Sequence, residues 1–160
     1  MKKTSPQRIA TALAVACLGM ASVTFAGECP AGKAGANALT GAPIAPVGVT
    51  ESEISSIDLA AENVKLDNRR LRLRKMTIMP GGVVPLHSHA DRPALIMVNA
   101  GEVIENSSKC LVPIVHKVGD VSKEFLGTMH WWTNKGKVPV MLTISDIVND
   151  KKPETMMEKM

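Results

Sequence analysis

The residues best equipped for chemistry are histidines, four in a chain of 160 residues. His87 and His89 stand two apart in "VVPLHSH". In an extended strand that spacing puts both rings on one face. Two imidazoles on one face make half of a site for a divalent transition metal. An HxH pair alone is a weak signal, so the site needs a further donor. Ala94, Ile96 and Val98, which follow at strand-like spacing, supply none. The other imidazoles are His116, in "VPIVHKVGD", and His130, in "GTMHWWTN".

Strands must position these rings. Residues 83–148 read as short apolar runs separated by turn signals at Ala100-Gly101, Gly119-Asp120, Gly127 and "NKGK". Regular short strands of this kind predict a sandwich or barrel. No helical stripe is evident within 70–148. "RRLRLRKM" alternates, with Leu71 and Leu73 on one face and Arg70, Arg72 and Arg74 on the other. The arginine row is expected to be solvated; the alternative aims one of the row at an acidic ligand or a partner subunit. "PGG" at 80–82 reads as a turn. "EISSIDLA" is expected to be the first strand, although Thr50 and Glu53 also fit a helix-capping box. Residues 27–49, rich in Gly, Ala and Pro, read as an extended arm. The polar tail at 149–160 is expected to be loose, with soft-metal binding through Met156, Met157 and Met160 as the alternative.

Two spaced motifs resemble those of the cupins. Gly81 is followed by five residues, then His87 and His89; Gly101 closes the motif, with six residues between it and Ala94. Downstream, Gly119, Gly127, His130 and Asn134 fall on the second motif's spacing, with Phe125 in place of its proline. The resemblance implies an all-β double-stranded β-helix, or jelly roll, over residues 50–148. It also implies a metal between the motifs, held by His87, His89 and His130. Ala94 occupies the family's glutamate position, so the implied ligand set has three neutral histidines and no carboxylate. Such a set leaves the ion more positive, with positions open to water or substrate. The ion would be Fe, Mn, Ni or Zn, since imidazole suits them all.

Other residues are candidates around that set. Arg92, in the turn "ADRP", is placed to hold a substrate carboxylate at the pocket mouth, with surface exposure as the alternative. Asp91 reads as a turn residue. His116 is a candidate fourth imidazole or acid–base group, with a structural hydrogen-bonded role as the alternative. Trp132 shares the parity of His130 and would wall the pocket beside Ala94, while Trp131 points away. The chain has no tyrosine, which excludes schemes that need a tyrosine base.

Residues 1–26 have the layout of a cleaved secretory signal: Lys2, Lys3 and Arg8, then the apolar run Ile9 to Ala21, then small Ala26. A lipid anchor at Cys17 is a minor alternative, because Ala14 makes a poor lipobox. The formal charge of +4 falls to +1 without the signal, leaving 16 bases against 15 acids. Nucleic acid is therefore not an expected partner. Export to the periplasm or beyond would leave Cys29 and Cys110 in an oxidising compartment, where they can pair or stay free. The expected function is an exported metal-binding protein acting on a small organic molecule, with dioxygenase-type chemistry by family analogy. A non-catalytic small-molecule-binding protein is the alternative, and pairing of two copies through sheet edges would suit either.

Overall fold

The computed structural model describes residues 27–151. The expected signal, Cys17 and the methionines of the tail lie outside them. Eight strands follow in order: β1 (Val47–Asp58), β2 (Arg69–Ser88), β3 (Ala94–Ala100), β4 (Glu102–Ser107), β5 (Ile114–Lys117), β6 (Val121–Glu124), β7 (Met129–Thr133) and β8 (Val140–Asn149). The described residues contain no helix, so none is long and apolar enough to cross a membrane.

The sheet runs β5-β4-β7-β2-β8-β3-β6, with β1 paired to β2, and every pairing is antiparallel. It curls into a nearly closed barrel. The alternation of side chains decides what faces inward. On β8 the buried positions are Val140, Leu142, Ile144, Asp146 and Val148, which alternate without a break. Met76, Ile78, Val84, Ile96, Val98, Val103 and Trp132 complete the apolar interior. Gly101 closes the β3–β4 turn at φ 78°, and a Cβ there would lie 2.9 Å from the Pro139 carbonyl oxygen. Only glycine meets both demands.

Two sequence expectations are corrected. "PGG" at 80–82 does not end a strand, because β2 continues through it. Gly81 takes φ 76° inside an irregularity where β1 pairs Val47 with Val83 and Val49 with Ile78. The strand bulges and carries on, which re-aims its second half. The arginine row is not fully solvated either. Arg70 is partly exposed, but Arg72 and Arg74 are 5% and 3% exposed, while Leu71 and Leu73 face outward. The reason is phase: Arg72 and Arg74 share the parity of Met76 and Ile78, which are core. Their charge is met inside, as described below.

The arm at 27–46 is laced to the loop after β4. Cys29 and Cys110 form a disulfide with S–S 2.01 Å. Ala34 bridges Cys110, Gly35 N–H donates to the Lys109 carbonyl at 3.1 Å, and Leu111 N–H donates to that of Lys33 at 2.9 Å. A cross-link closing a loop of this length stabilises by roughly 4 kcal/mol in the chain-entropy treatment.

Candidate metal centre

His87 on β2 and His130 on β7 are directly opposite each other in the ladder, and His89 follows the end of β2. All three rings are buried. Their Nε2 atoms converge, with His87–His89 at 3.2 Å and His130 at 3.0 Å from each of the others. Nitrogens bound about 2.1 Å from one ion would stand about 3.0–3.4 Å apart, so the spacing suits a shared metal.

The opposite ring nitrogens fix the lone pairs. His87 Nδ1 lies 2.9 Å from the Pro85 carbonyl oxygen, and His89 Nδ1 lies 2.6 Å from that of Arg92. A carbonyl only accepts, so in each ring Nδ1 carries the proton and Nε2 presents a lone pair inward. Burial, followed by the charge of His130, pushes His89 down to about 3. The same causes hold His87 well below the usual range. Both rings are therefore neutral at physiological pH, as ligation requires.

His130 is supported differently. Its Nδ1 has Glu105 Oε1 at 3.2 Å and Glu124 Oε1 at 3.3 Å. The Trp132 indole N–H also points at it, at 2.9 Å. These demands compete, since the carboxylates favour a proton on Nδ1 and the indole favours a lone pair. Charge-assisted bonds are about twice as strong as neutral ones, so the proton stays on Nδ1. Burial alone would lower this ring, but Glu124 and Glu105 outweigh it and raise His130 to about 9. A metal at Nε2 would take the place of the second proton.

Glu105 also accepts from His116 Nε2 at 2.7 Å. Burial works against its ionisation, yet the bonds from His116 and His130 hold it down to about 2. Ser122 Oγ donates to Glu124 Oε1. His116 is fully buried and stacks flat on Trp132, with ring centroids 4.8 Å apart. It stands behind Trp132 rather than beside the three Nε2 atoms.

The cavity between the three histidines has a volume of about 20 Å³. Arg74, Trp132 and the apolar side chains Met76, Val84, Ile96, Leu142 and Ile144 line it. Arg92 and Ala94 are absent from this lining. Arg92 is buried, with its Nη1 3.4 Å from Asp146 Oδ2. It does not stand at an open pocket mouth. Asp91 accepts from Arg69 at 2.6 Å and from Asn149 at 3.0 Å, holding the turn.

Ala94 marks where a carboxylate is missing, and its cross-strand partners are Glu124 on β6 and Asp146 on β8. Acids therefore flank the vacant position from both neighbouring strands. Asp146 accepts two bonds from Arg72, at 3.0 Å each, and lies 3.3 Å from Arg74. Arg74 also pairs with Glu51. Burial would raise Asp146, but the Arg72 bonds and the charges of Arg74 and Arg92 hold it below the usual range. Arg92 in turn is pushed down to about 10 by burial and by Arg74. Sequence reasoning missed Glu105, Glu124 and Asp146. The available signal was a charged residue at a core-facing parity, clearest for Asp146 after Leu142 and Ile144.

Neither protein-family profiles nor curated protein sequences match this chain. Solved structures do. A predicted oxalate decarboxylase from Thermotoga maritima superposes with a TM-score of 0.51 at 18% identity, over 71% of this chain and 98% of that one. The Schizosaccharomyces pombe Cnp3 cupin domain gives 0.50 at 12% identity, over 68% and 70%. The chain has the cupin fold. A recombinant oxalate oxidase in complex with glycolate gives 0.49 at 22% identity; this chain covers only 57% of that longer one with 66% of its own. At these identities the likeness speaks for the barrel, and the site must be argued from its own residues.

Proposed function

We propose that this cupin-fold protein is exported and binds a divalent transition metal (Fe, Mn, Ni or Zn) through His87, His89 and His130. In this reading it acts on a small organic molecule, with dioxygenase-type oxidation as the reaction class. The observation that carries the proposal is the convergence of three buried Nε2 atoms at 3.0–3.2 Å, two of them with lone pairs fixed by backbone carbonyls. When bound, the ion would supply Lewis acidity and a redox or oxygen-binding position. The chain's own residues would do the rest. Trp132 and Arg74 flank the interior, and the Arg74 guanidinium would orient an anionic group. Arg92 orients His89 through its carbonyl, and His116 steadies Trp132 from behind. The Cys29–Cys110 disulfide is compatible with an oxidising compartment, which supports export.

One observation favours the second reading, a non-catalytic metal- or ligand-binding cupin. A space of about 20 Å³ holds about one water. An organic ligand would enter only with movement of the wall. Elemental analysis of the protein purified from its own compartment tests the metal. One divalent ion per chain in the wild type and none in His87→Ala supports it; metal-free protein that takes up no added ion in either form removes it. Oxygen consumption by the loaded protein then separates catalysis from binding. The proposal extends to a homodimer paired through sheet edges, and a monomer mass by light scattering would remove that part.

A further inference from the structure

The ring of His116 is fully buried but only half satisfied. Its Nε2 donates to the ionised Glu105 at 2.7 Å. In the tautomer that makes this bond Nδ1 is an acceptor, and Nδ1 is buried with no hydrogen-bond partner. A buried acceptor without a donor is costly, so a retained one points to a donor that arrives later. The start of the arm faces it. A Cβ built on Gly27 would lie 3.0 Å from His116 Nδ1, 3.0 Å from Asp120 Cβ and 3.5 Å from Asp120 Cγ. Gly27 is itself buried, so its backbone is packed against both residues with no room for a side chain. The next two residues are pinned. Glu28 pairs with Lys123 at 2.6 Å, and Cys29 is bonded to Cys110. Asp120 Oδ2 accepts from the Lys117 N–H at 2.7 Å, which leaves Oδ1 for another donor.

We propose, on the reading that the chain is exported, that the missing donor is the α-ammonium of Gly27, made when the signal is removed after Ala26, with Asp120 as its counter-ion. In the uncleaved chain the Gly27 nitrogen is an amide with one N–H fixed in the peptide plane, and His116 Nδ1 receives nothing from it. Hydrolysis by a signal peptidase adds one water across the Ala26–Gly27 bond. The hydroxyl goes to the Ala26 carbonyl carbon and the protons go to the Gly27 nitrogen. The leader leaves with a carboxylate, and Gly27 keeps an ammonium with three N–H donors that can rotate. That nitrogen is bonded to the Cα that faces His116 and Asp120, so one N–H turns to Nδ1 and another to the carboxylate. A buried positive charge is tolerated when it is paired and hydrogen-bonded, and these two residues do both. The amine becomes the outer end of a hydrogen-bond chain that runs through His116 and Glu105 to His130. Removal of the signal thus completes the support behind that ring.

The experiment uses the protein purified from its own compartment. Intact mass gives its first residue, expected to be Gly27. The α-amine is then labelled with 2-pyridinecarboxaldehyde, which reacts at N-terminal amines, in native and in urea-unfolded protein. The native amine is expected to react at least about tenfold more slowly. Asp120→Asn, which keeps an oxygen for the Lys117 N–H, is expected to recover most of that loss. The second readout is the 15N shift of His116 Nδ1 in long-range proton–nitrogen spectra, compared with a form one residue longer that begins at Ala26. The shift is expected to differ, because the longer form has an amide in place of the ammonium. An α-amine as reactive in the native as in the unfolded protein, or an unchanged Nδ1 shift, overturns the proposal and leaves export standing. An exported chain that begins at another residue does the same. No recovery in Asp120→Asn overturns the assigned counter-ion. A chain that keeps its leader and is not exported overturns both readings.

Discussion

The three-histidine centre lies between two charged regions of opposite sign, and they are built differently. On one side Arg72, Arg74 and Arg92 gather on a single buried carboxylate, Asp146. On the other side Glu105 and Glu124 face His116 and His130. The basic side holds His89 through backbone, at the Arg92 carbonyl, while the Arg74 side chain lines the cavity. The acidic side touches the histidines through side chains. The grip of the Arg92 carbonyl on His89 does not require an arginine side chain at that position. A centre gripped by carboxylates on the other flank is open to tuning.

The largest expected effect breaks the basic side. Asp146→Ala removes the buried counter-ion that Arg72, Arg74 and Arg92 share. Removing one partner of a buried ion cluster costs about 3–5 kcal/mol, measurable by denaturant unfolding. The same carboxylate sets a pH dependence. Its pKa is lowered in the folded state, so its contribution is present above the unfolded value of about 3.9 and is lost as pH falls through the folded value. Acid unfolding of the wild type should therefore steepen below about pH 4, and Asp146→Asn should flatten that part of the curve.

Next in size is the disulfide, which secures only the acidic side. Cys29→Ser is expected to cost about 2–4 kcal/mol. Hydrogen exchange should speed up in β4, β5 and residues 107–111 while β2 and β8 keep their protection. Equal loosening of both regions would erase the distinction between them. Smaller again is Glu105→Gln, expected to weaken metal affinity about 10–100-fold, as loss of a ligand's outer hydrogen bond does, read by competition with a chelator. Smallest is Arg92→Lys. Its carbonyl remains, so metal affinity should stay within about twofold while stability falls. A loss as large as that of Glu105→Gln would show that the basic side also acts through its side chains.

Much of the barrel was legible in the sequence because glycines and histidines sit at fixed spacings. Gly101 is demanded by a positive φ and a close carbonyl, and the HxH pair by strand parity. An alternating arginine row is ordinarily a solvated face, but Arg72 and Arg74 share the parity of the core residues Met76 and Ile78. Glu105, Glu124 and Asp146 were invisible for a different reason: each becomes important through a partner on another strand. Asp146 is opposite both Arg72 and Ala94, on strands far apart in sequence. The cavity size could not be read either, since it depends on how the walls close over the rings.

The direct opposition of His87 and His130 in the β2–β7 ladder has a consequence for assembly of the barrel. Strand pairing alternates faces, so a slip of one residue would turn His130 to the outside and leave two rings behind. The metal would then report on register: a mispaired chain could not take it up with all three rings. An ion added during folding would act as a proofreader, stabilising correctly aligned chains by its binding energy and leaving misaligned ones without that support.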